Sequence, residues 1–276
     1  MTMIRTERSQ AGSADTLKAR YLAVLANIDS AARRSGRTGK DILLVAVSKY
    51  TGLDQIRELV QLGHRDFGEN HVQALTQRAA ALDEFFTRTK ALPVLKTAAG
   101  DAQAPIRWHM IGRLQRNKAR RAVELCRLIH SVDNARVAED VQIAANKLGK
   151  TTDVLLQVNT SGEETKTGIA PAAVMHMLDM LETMINVRVR GLMTMAPHTS
   201  TDPAAARLTF IRLRELFEEA RRIGAGGEHF NILSMGMSDD YEVAIQEGAN
   251  LVRIGSAIFG PPTHTPDESE ESDSDE

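Results

Sequence analysis

Residues 42–50 read ILLVAVSKY, six apolar residues followed by a serine, a lysine and a tyrosine. A short apolar run of this composition is typical of a strand that is buried on both faces, as the strands of a parallel sheet are. Seven similar runs follow, and segments with the helical spacing of apolar residues, for example residues 118–126, separate them. The seven further predicted strands are residues 65–67, 106–111, 128–132, 154–158, 187–193, 230–233 and 251–254.

Eight strands that alternate with helices predict parallel βαβ units, and 276 residues are close to the ~250 typical of a (β/α)8 barrel. We therefore predict an α/β protein with a TIM-barrel fold. An extra N-terminal helix, residues 15–34, is expected to pack outside the barrel. Residues 87–105, rich in Ala, Thr, Gly and Pro, interrupt the regular spacing and are predicted to form a surface loop.

The composition is that of an ordinary globular protein, with 42% hydrophobic and 25% charged residues. No segment approaches the ~20 consecutive apolar residues that a membrane-spanning helix needs, and the N-terminus lacks the apolar run of a secretory signal. The single cysteine, Cys126, excludes an internal disulfide and fits a reducing compartment. These features predict a cytoplasmic protein without a membrane partner.

The formal net charge of −2 conceals an acidic C-terminus, because residues 267–276 contain seven acids and three serines. Removing those acids would change the net charge from −2 to +5. Such a segment has too few apolar groups to offset its ordering entropy, so we expect one folded domain over residues 1–262 and a disordered acidic tail over residues 263–276. The small, dispersed positive charge of the remaining chain argues against nucleic-acid binding.

Active groups in barrels of this kind lie at the carboxyl ends of the strands. Lys49 follows the first strand, and a partly desolvated lysine has a lowered pKa, so its neutral amine can attack an aldehyde to form a Schiff base. The alternative is a lysine that extends into solvent. Strands two and three place Glu69, Asn70 and His109 at the same end, although the first two are also typical helix caps and the third a typical core histidine.

The ends of strands seven and eight predict an anion site, since barrels often bind phosphate with the loops that follow these strands. Gly236 and Gly255 permit a close approach of the backbone, and Ser234 and Ser256 supply hydroxyl donors. The alternative is that Ser238 only caps a helix and that Gly255 only forms a turn. A lysine facing a phosphate site suits a phosphorylated aldehyde, for which pyridoxal phosphate is the obvious candidate. The sequence contains no spacing typical of metal ligands, of a serine nucleophile or of a P-loop.

With these residues the sequence resembles the pyridoxal phosphate homeostasis proteins, the YggS/PROSC family, whose barrel is similar to the N-terminal domain of alanine racemases. The resemblance spans residues 17–261. It rests on the motifs VAVSK at 45–49, FGEN at 67–70, WHMIGRLQRNK at 108–118, GLM at 191–193, LSMGMSDD at 233–240 and VRIGS at 252–256. The sequence departs from the family in the length of residues 87–105, at His71, where an aromatic residue is frequent, and in the acidic tail.

The resemblance implies a role for each matching residue. Lys49 would hold the cofactor pyridoxal phosphate as a Schiff base, Asn70 would lie near it, and Arg253 would face its pyridine nitrogen. The phosphate-binding positions would be Ser234, Gly255 and Ser256, with Gly236 in the adjoining loop. We assign no catalytic residue and no metal ligand. Because a cation beside the pyridine nitrogen disfavours its protonation, the ring would be a poor electron sink.

The resemblance therefore implies a pyridoxal phosphate carrier or regulator in intracellular vitamin B6 homeostasis, without catalytic turnover and with transient contacts to enzymes that use the cofactor. The alternative is an amino-acid racemase or a related enzyme. Alanine racemases follow this barrel with a β-domain that donates a second acid-base residue across a dimer, so the expectation for this chain is weak activity at most and a monomer. A third hypothesis is a lysine-dependent aldolase that binds a sugar phosphate.

Overall fold

The computed structural model describes residues 16–90, 104–163, 166–197 and 203–261. Within these segments eight parallel strands close into a barrel, in which each strand pairs with the next and the last pairs with the first. The strands are β1 (Leu43–Val47), β2 (Asp66–Glu69), β3 (Arg107–Met110), β4 (Cys126–Val132), β5 (Thr152–Gln157), β6 (Val187–Met193), β7 (Ile232–Ser234) and β8 (Leu251–Ile254). The predicted fold class is confirmed.

Helices connect these strands and cover the outside of the barrel, as the fold requires. The α-helices in the described segments are α1 (Leu17–Arg34), α2 (Leu53–Gln61), α3 (Val72–Lys90), α4 (Ala119–Leu125), α5 (Ala135–Lys147), α6 (Val174–Glu182), α7 (Pro203–Ile223), α8 (Tyr241–Gln246) and α9 (Ser256–Phe259). None of them is long and apolar enough to cross a membrane.

The predicted N-terminal helix is present as α1. The Thr16 side chain begins it by accepting a hydrogen bond from the backbone N–H of Ala19 at 3.2 Å. One face of the helix is buried, and Arg20 donates from Nε to the Ile258 carbonyl oxygen at 2.9 Å, at the end of the barrel where α9 lies. The helix therefore closes the outer ring beside the first and last strands.

Six of the eight predicted strands differ from the observed strands by one or two residues at one or both ends, and two helix boundaries differ for identifiable reasons. Helix α3 continues to Lys90, so the first four residues of the predicted loop at 87–105 are helical, and residues 91–103 lie outside the described segments. The helix predicted over residues 118–126 ends at Leu125, because Cys126 pairs with Trp108 and opens β4. The predicted tail at 263–276 also lies outside the described residues.

The barrel interior has a small apolar cluster of its own. It comprises Val45, Leu128, Leu155, Met193 and Leu251, which come from five different strands. A much larger apolar core separates the strands from the surrounding helices. Because side chains alternate between the two faces of a strand, the remaining inward positions are open to polar residues. Some of these inward polar residues belong to the candidate site.

Candidate functional site

The seven residues predicted to form the site lie at or just beyond the carboxyl ends of four consecutive strands of the barrel, in the order β7, β8, β1 and β2. Each follows a strand or lies near its carboxyl end. They are Lys49 after β1, Asn70 after β2, Ser234 and Gly236 at the end of β7, and Arg253, Gly255 and Ser256 at the end of β8. The closed topology therefore brings together residues that are about 200 positions apart in the sequence.

Lys49 lies two residues beyond β1 and its side chain is exposed. The Nζ atom is 4.9 Å from the centre of the Tyr50 ring. Crowding by protein atoms lowers the pKa of Lys49 from its ordinary value, and the nearby Glu69 carboxylate opposes that shift. The lysine therefore combines an accessible amine with an increased neutral fraction, which are the two properties that a nucleophilic amine needs.

A buried cluster fixes the backbone that carries Lys49. The Ser48 hydroxyl donates to Glu69 Oε1 at 2.5 Å, and Arg78 of α3 pairs with the same oxygen at 3.0 Å. Arg78 also donates to the carbonyl oxygens of Ser48 and Lys49, the latter at 3.5 Å. Burial raises the pKa of Glu69, while Arg78 is the largest influence in the opposite direction. Arg78 was not among the predicted residues, since it lies inside a helix with no motif around it.

The alternative assignment of Glu69 as a helix cap is wrong. Glu69 is the last residue of β2, is 1% exposed, and directs its carboxylate to Ser48 and Arg78 instead of the first turn of α3. Asn70 is half-buried, and its backbone N–H bonds the Glu69 carboxylate. The structure therefore places Asn70 at the mouth, next to the cluster that supports Lys49.

Arg253 presents the opposite situation to Lys49, because its side chain points into the barrel and is 4% exposed. Its Nη1 donates to Ser234 Oγ at 2.6 Å and its Nη2 donates to the Thr194 carbonyl oxygen at 2.9 Å. Burial lowers the pKa of Arg253 to about 10, and the Asp240 carboxylate opposes this. The guanidinium therefore stays charged at neutral pH and is held in one orientation.

The loop after β7 is compact around Gly236. Its φ is +97°, and a Cβ at this position would lie 2.6 Å from the Ala244 Cβ, so no other residue fits without strain. The Gly236 carbonyl oxygen accepts from the Arg253 N–H at 3.0 Å. At Gly255 an added Cβ would lie 3.4 Å from Val47. The two glycines therefore bring three backbone segments close together beside β1.

Ser238 does serve as a cap, but of the segment after β8. Its Oγ accepts from the N–H groups of Gly255 and Ala257, both at 3.3 Å. The capping role that the sequence suggested for Ser238 is therefore present, at the start of α9. Ser256 lies between these two residues and is exposed. The side chain of Ser256 is therefore accessible from the mouth, whereas the Ser234 hydroxyl is buried.

His109 is a buried, hydrogen-bonded histidine, as the alternative interpretation of this residue held. It is 0% exposed and contacts Asp66 at 3.2 Å and His130 at 3.0 Å. Asp66 and His130 were not among the predicted residues, because single polar residues within apolar strands carry no motif. No group of three or more His, Cys, Asp or Glu side chains in the described part of the chain is arranged to hold a metal ion.

Comparison with known proteins places this geometry in a family. The sequence model of the alanine racemase N-terminal domain matches residues 21–262. A pyridoxal phosphate homeostasis protein of Aquifex aeolicus is 38% identical over 241 residues, which are 86% of this chain and 94% of that protein. The protein of the same name from Schizosaccharomyces pombe is 34% identical over 232 residues, which are 83% and 88% of the two chains.

Solved structures agree with the sequence matches. PipY of Synechococcus elongatus, solved with PLP bound, is 31% identical and superposes with a TM-score of 0.72 over 89% of this chain and 100% of that one. An alanine racemase of Clostridium difficile has a TM-score of 0.62 at 15% identity, with coverage of 91% of this chain and 57% of the racemase. The racemase therefore shares the barrel fold.

Proposed function

The chain belongs to the family of pyridoxal phosphate homeostasis proteins, built on the alanine racemase N-terminal domain, and on that premise we propose that it binds pyridoxal phosphate and acts in its homeostasis. The observation that carries the proposal is the position of Lys49, an exposed amine with a lowered pKa at the barrel mouth. The names of the relatives and the PLP bound to PipY support the same ligand.

The residues present fit this ligand in three respects. Pyridoxal phosphate supplies an aldehyde that condenses with a neutral primary amine, releasing water and forming a Schiff base. Lys49 offers the amine, and Glu69 and Arg78 hold the turn that carries it. Gly236 and Gly255 hold the loops after β7 and β8 close together, and the exposed Ser256 beside them would donate its hydroxyl to the phosphate.

Two further residues orient the ligand in this proposal. Arg253 provides a fixed buried cation for the pyridine ring, and Asn70 borders the site from β2. Ser234 differs from the other proposed phosphate-binding positions, because its hydroxyl already bonds Arg253 and His130. We therefore assign Ser234 to the orientation of Arg253 as well as to the border of the phosphate site.

The fixed cation favours storage of the ligand over turnover. Arg253 stays charged at neutral pH, and a cation near the pyridine nitrogen disfavours protonation of that nitrogen. Without that proton the ring withdraws electrons poorly, so carbanion chemistry on a bound amino acid is slow. We propose a cytoplasmic monomer that holds the cofactor reversibly, without catalytic turnover, and transfers it to enzymes that require it.

The test is a titration of the purified protein with pyridoxal phosphate, followed by visible absorption, together with an assay of racemisation on a panel of L-amino acids. The proposal predicts a saturable change in the absorption band with one equivalent of ligand and no racemisation above the rate of free pyridoxal phosphate. Racemisation that disappears in Lys49→Ala would replace the carrier by a racemase. Absence of any saturable spectral change would remove the proposed ligand.

A further inference from the structure

Five polar side chains from five strands form a continuous chain of hydrogen bonds across the barrel interior. Arg253 donates to Ser234 Oγ at 2.6 Å, and the same Oγ lies 3.2 Å from His130 Nδ1. His130 Nε2 is 3.0 Å from His109 Nδ1, and His109 Nε2 is 3.2 Å from Asp66 Oδ1. All five residues are buried, and none is more than 4% exposed.

The two ends of this chain fix the direction of every bond within it. Asp66 is anionic, because the Arg107 guanidinium holds the pKa of this carboxyl below its ordinary value by hydrogen bonding and charge. A carboxylate only accepts, so His109 must carry its proton on Nε2. Burial lowers the pKa of both histidines, so each ring is neutral and has one proton.

A neutral His109 with its proton on Nε2 must accept at Nδ1. His130 must therefore donate from its own Nε2 and accept at Nδ1, where, among the described residues, the Ser234 hydroxyl supplies the proton. That hydroxyl then turns its lone pairs to Arg253, which can only donate. A single arrangement of protons satisfies all four contacts, and the alternative would set the His109 lone pair against a carboxylate.

We propose that Asp66, His109 and His130 are positioning residues for Arg253, acting through the hydroxyl of Ser234. The chain reaches from the first residue of β2, at the amino end of the barrel, to the guanidinium near the mouth. Arg107, which pairs with Asp66, has a side chain that is 38% exposed at that amino end. The chain therefore links the two ends of the barrel and sets the orientation of the cation proposed to face the ligand.

The contrasting explanation is that the histidines only fill the barrel interior. Under that explanation an apolar side chain of similar size at position 130 leaves Arg253 and the ligand site unchanged, provided that the protein folds. If the histidines position Arg253, the same change leaves the Ser234 hydroxyl without its acceptor and frees it to rotate. The two explanations therefore differ in what happens at Arg253, more than 100 positions away in the sequence.

The first measurement uses the ligand-free protein and does not depend on the proposed function. Nitrogen-15 spectra of the histidine rings are expected to show His109 and His130 neutral at pH 7, each with its proton on Nε2. A proton on Nδ1 of either ring, or a charged ring, would overturn the inference. Failure of the protein to bind pyridoxal phosphate would remove the proposed function but leave this result intact.

The second measurement compares pyridoxal phosphate binding by His130→Leu, Ser234→Ala and the double variant, with Thr152→Val as the control. Thr152 is 2% exposed, and its hydroxyl has no partner among the described residues, so its replacement tests burial alone. Each single variant is expected to weaken binding about tenfold or more, with the covalent attachment to Lys49 retained. Thr152→Val is expected to bind as the wild type does.

The double variant separates a shared chain from two independent contributions. Both residues act on Arg253 through one series of hydrogen bonds. The double variant is therefore expected to bind pyridoxal phosphate no more weakly than the single variant with the lower affinity. Losses that multiply would contradict the inference, as would unchanged binding in a folded His130→Leu protein. If His130→Leu does not fold, the ring spectra of the wild type decide the question.

Discussion

Lys49 and Arg253 are cations at the carboxyl ends of neighbouring strands, Lys49 three residues beyond Ala46 and Arg253 one residue before Ile254, the partner of Ala46, yet the two side chains have opposite surroundings. The Lys49 side chain is exposed, and only the turn that carries it is fixed. Arg253 is 4% exposed, and hydrogen bonds fix the guanidinium itself. Burial lowers both pKa values from their ordinary values, and the Arg253 guanidinium, with a pKa of about 10, still keeps its charge at neutral pH.

The difference matches two chemical requirements at the same end of the barrel. An amine that must meet an aldehyde has to be reachable and able to lose its proton, so exposure and a support from behind suit Lys49. A cation that must keep its charge and direction is better buried among acceptors. The mouth is therefore open beside β1, where an aldehyde must reach the amine, and compact beside β7 and β8, where the guanidinium must be held. Changes to residues on each side test this difference.

Removal of the amine should have the largest effect. Lys49→Ala is expected to abolish covalent attachment of pyridoxal phosphate, because no other described residue of the turn at 48–52 has a side-chain amine. The measurement is the visible band of the protein after addition of the ligand. Lys118→Ala removes another exposed lysine and should leave the band unchanged. A band that survives in Lys49→Ala would show that the open side is not the reactive one.

The compact side should tolerate a methyl group far less well than the open side. Gly236→Ala introduces a side chain at a φ of +97° and against Ala244, so the free energy of unfolding should fall by about 1–3 kcal/mol. Gly52, in the loop after β1, has a φ of −72° and no atom within 4 Å of an added Cβ. Gly52→Ala should lie within about 0.5 kcal/mol of the wild type in urea denaturation. Equal losses in the two variants would contradict the contrast.

The pH dependence of attachment should report the charge next to Lys49. The neutral amine reacts, and the pKa of Lys49 is lowered, so the attachment rate should rise with pH and reach half its plateau below the ordinary lysine pKa. The Glu69 carboxylate favours the charged amine, so Glu69→Gln should shift the half-rise to lower pH. Glu84→Gln, which alters an exposed ion pair of α3, should not shift it. A shift to higher pH in Glu69→Gln would refute the assigned role of this carboxylate.

The acidic C-terminus should have the smallest effect. We propose that residues 1–262 form the single folded domain, so a chain that ends at residue 262 should keep its pyridoxal phosphate binding and unfold within about 0.5 kcal/mol of the full chain. Paired denaturation and binding curves of the two chains provide the measurement. Weaker binding by the shorter chain would extend the site beyond the barrel.

The fold followed from the sequence because its signal is repeated eight times. Strands β6 and β8 begin and end at the predicted residues, Val187–Met193 and Leu251–Ile254. The boundary at Cys126 was misplaced, because a helix and a strand follow each other there without a turn signal. Pairing with β3, which no local pattern contains, decides that Cys126 belongs to the strand.

The sequence predicts the site residues that belong to local motifs. It does not predict those that are brought together only by the pairing of distant strands. Lys49 and the glycines of the last two loops stand out in the sequence, since a lysine after an apolar run and glycines after strands carry local meaning. Asp66, Arg78 and His130 do not, because each is one polar residue in an unremarkable strand or helix. Only the closed barrel brings Asp66 and His130 together through His109.

The central claim is that Lys49 is the residue that holds pyridoxal phosphate. It is tested most directly by incubating the protein with one equivalent of the ligand, reducing the mixture with borohydride and locating the added mass by peptide mapping. The expected result is a single modified peptide that contains residues 43–57, with the mass on Lys49. Modification spread over several exposed lysines, or none after reduction, would contradict the account.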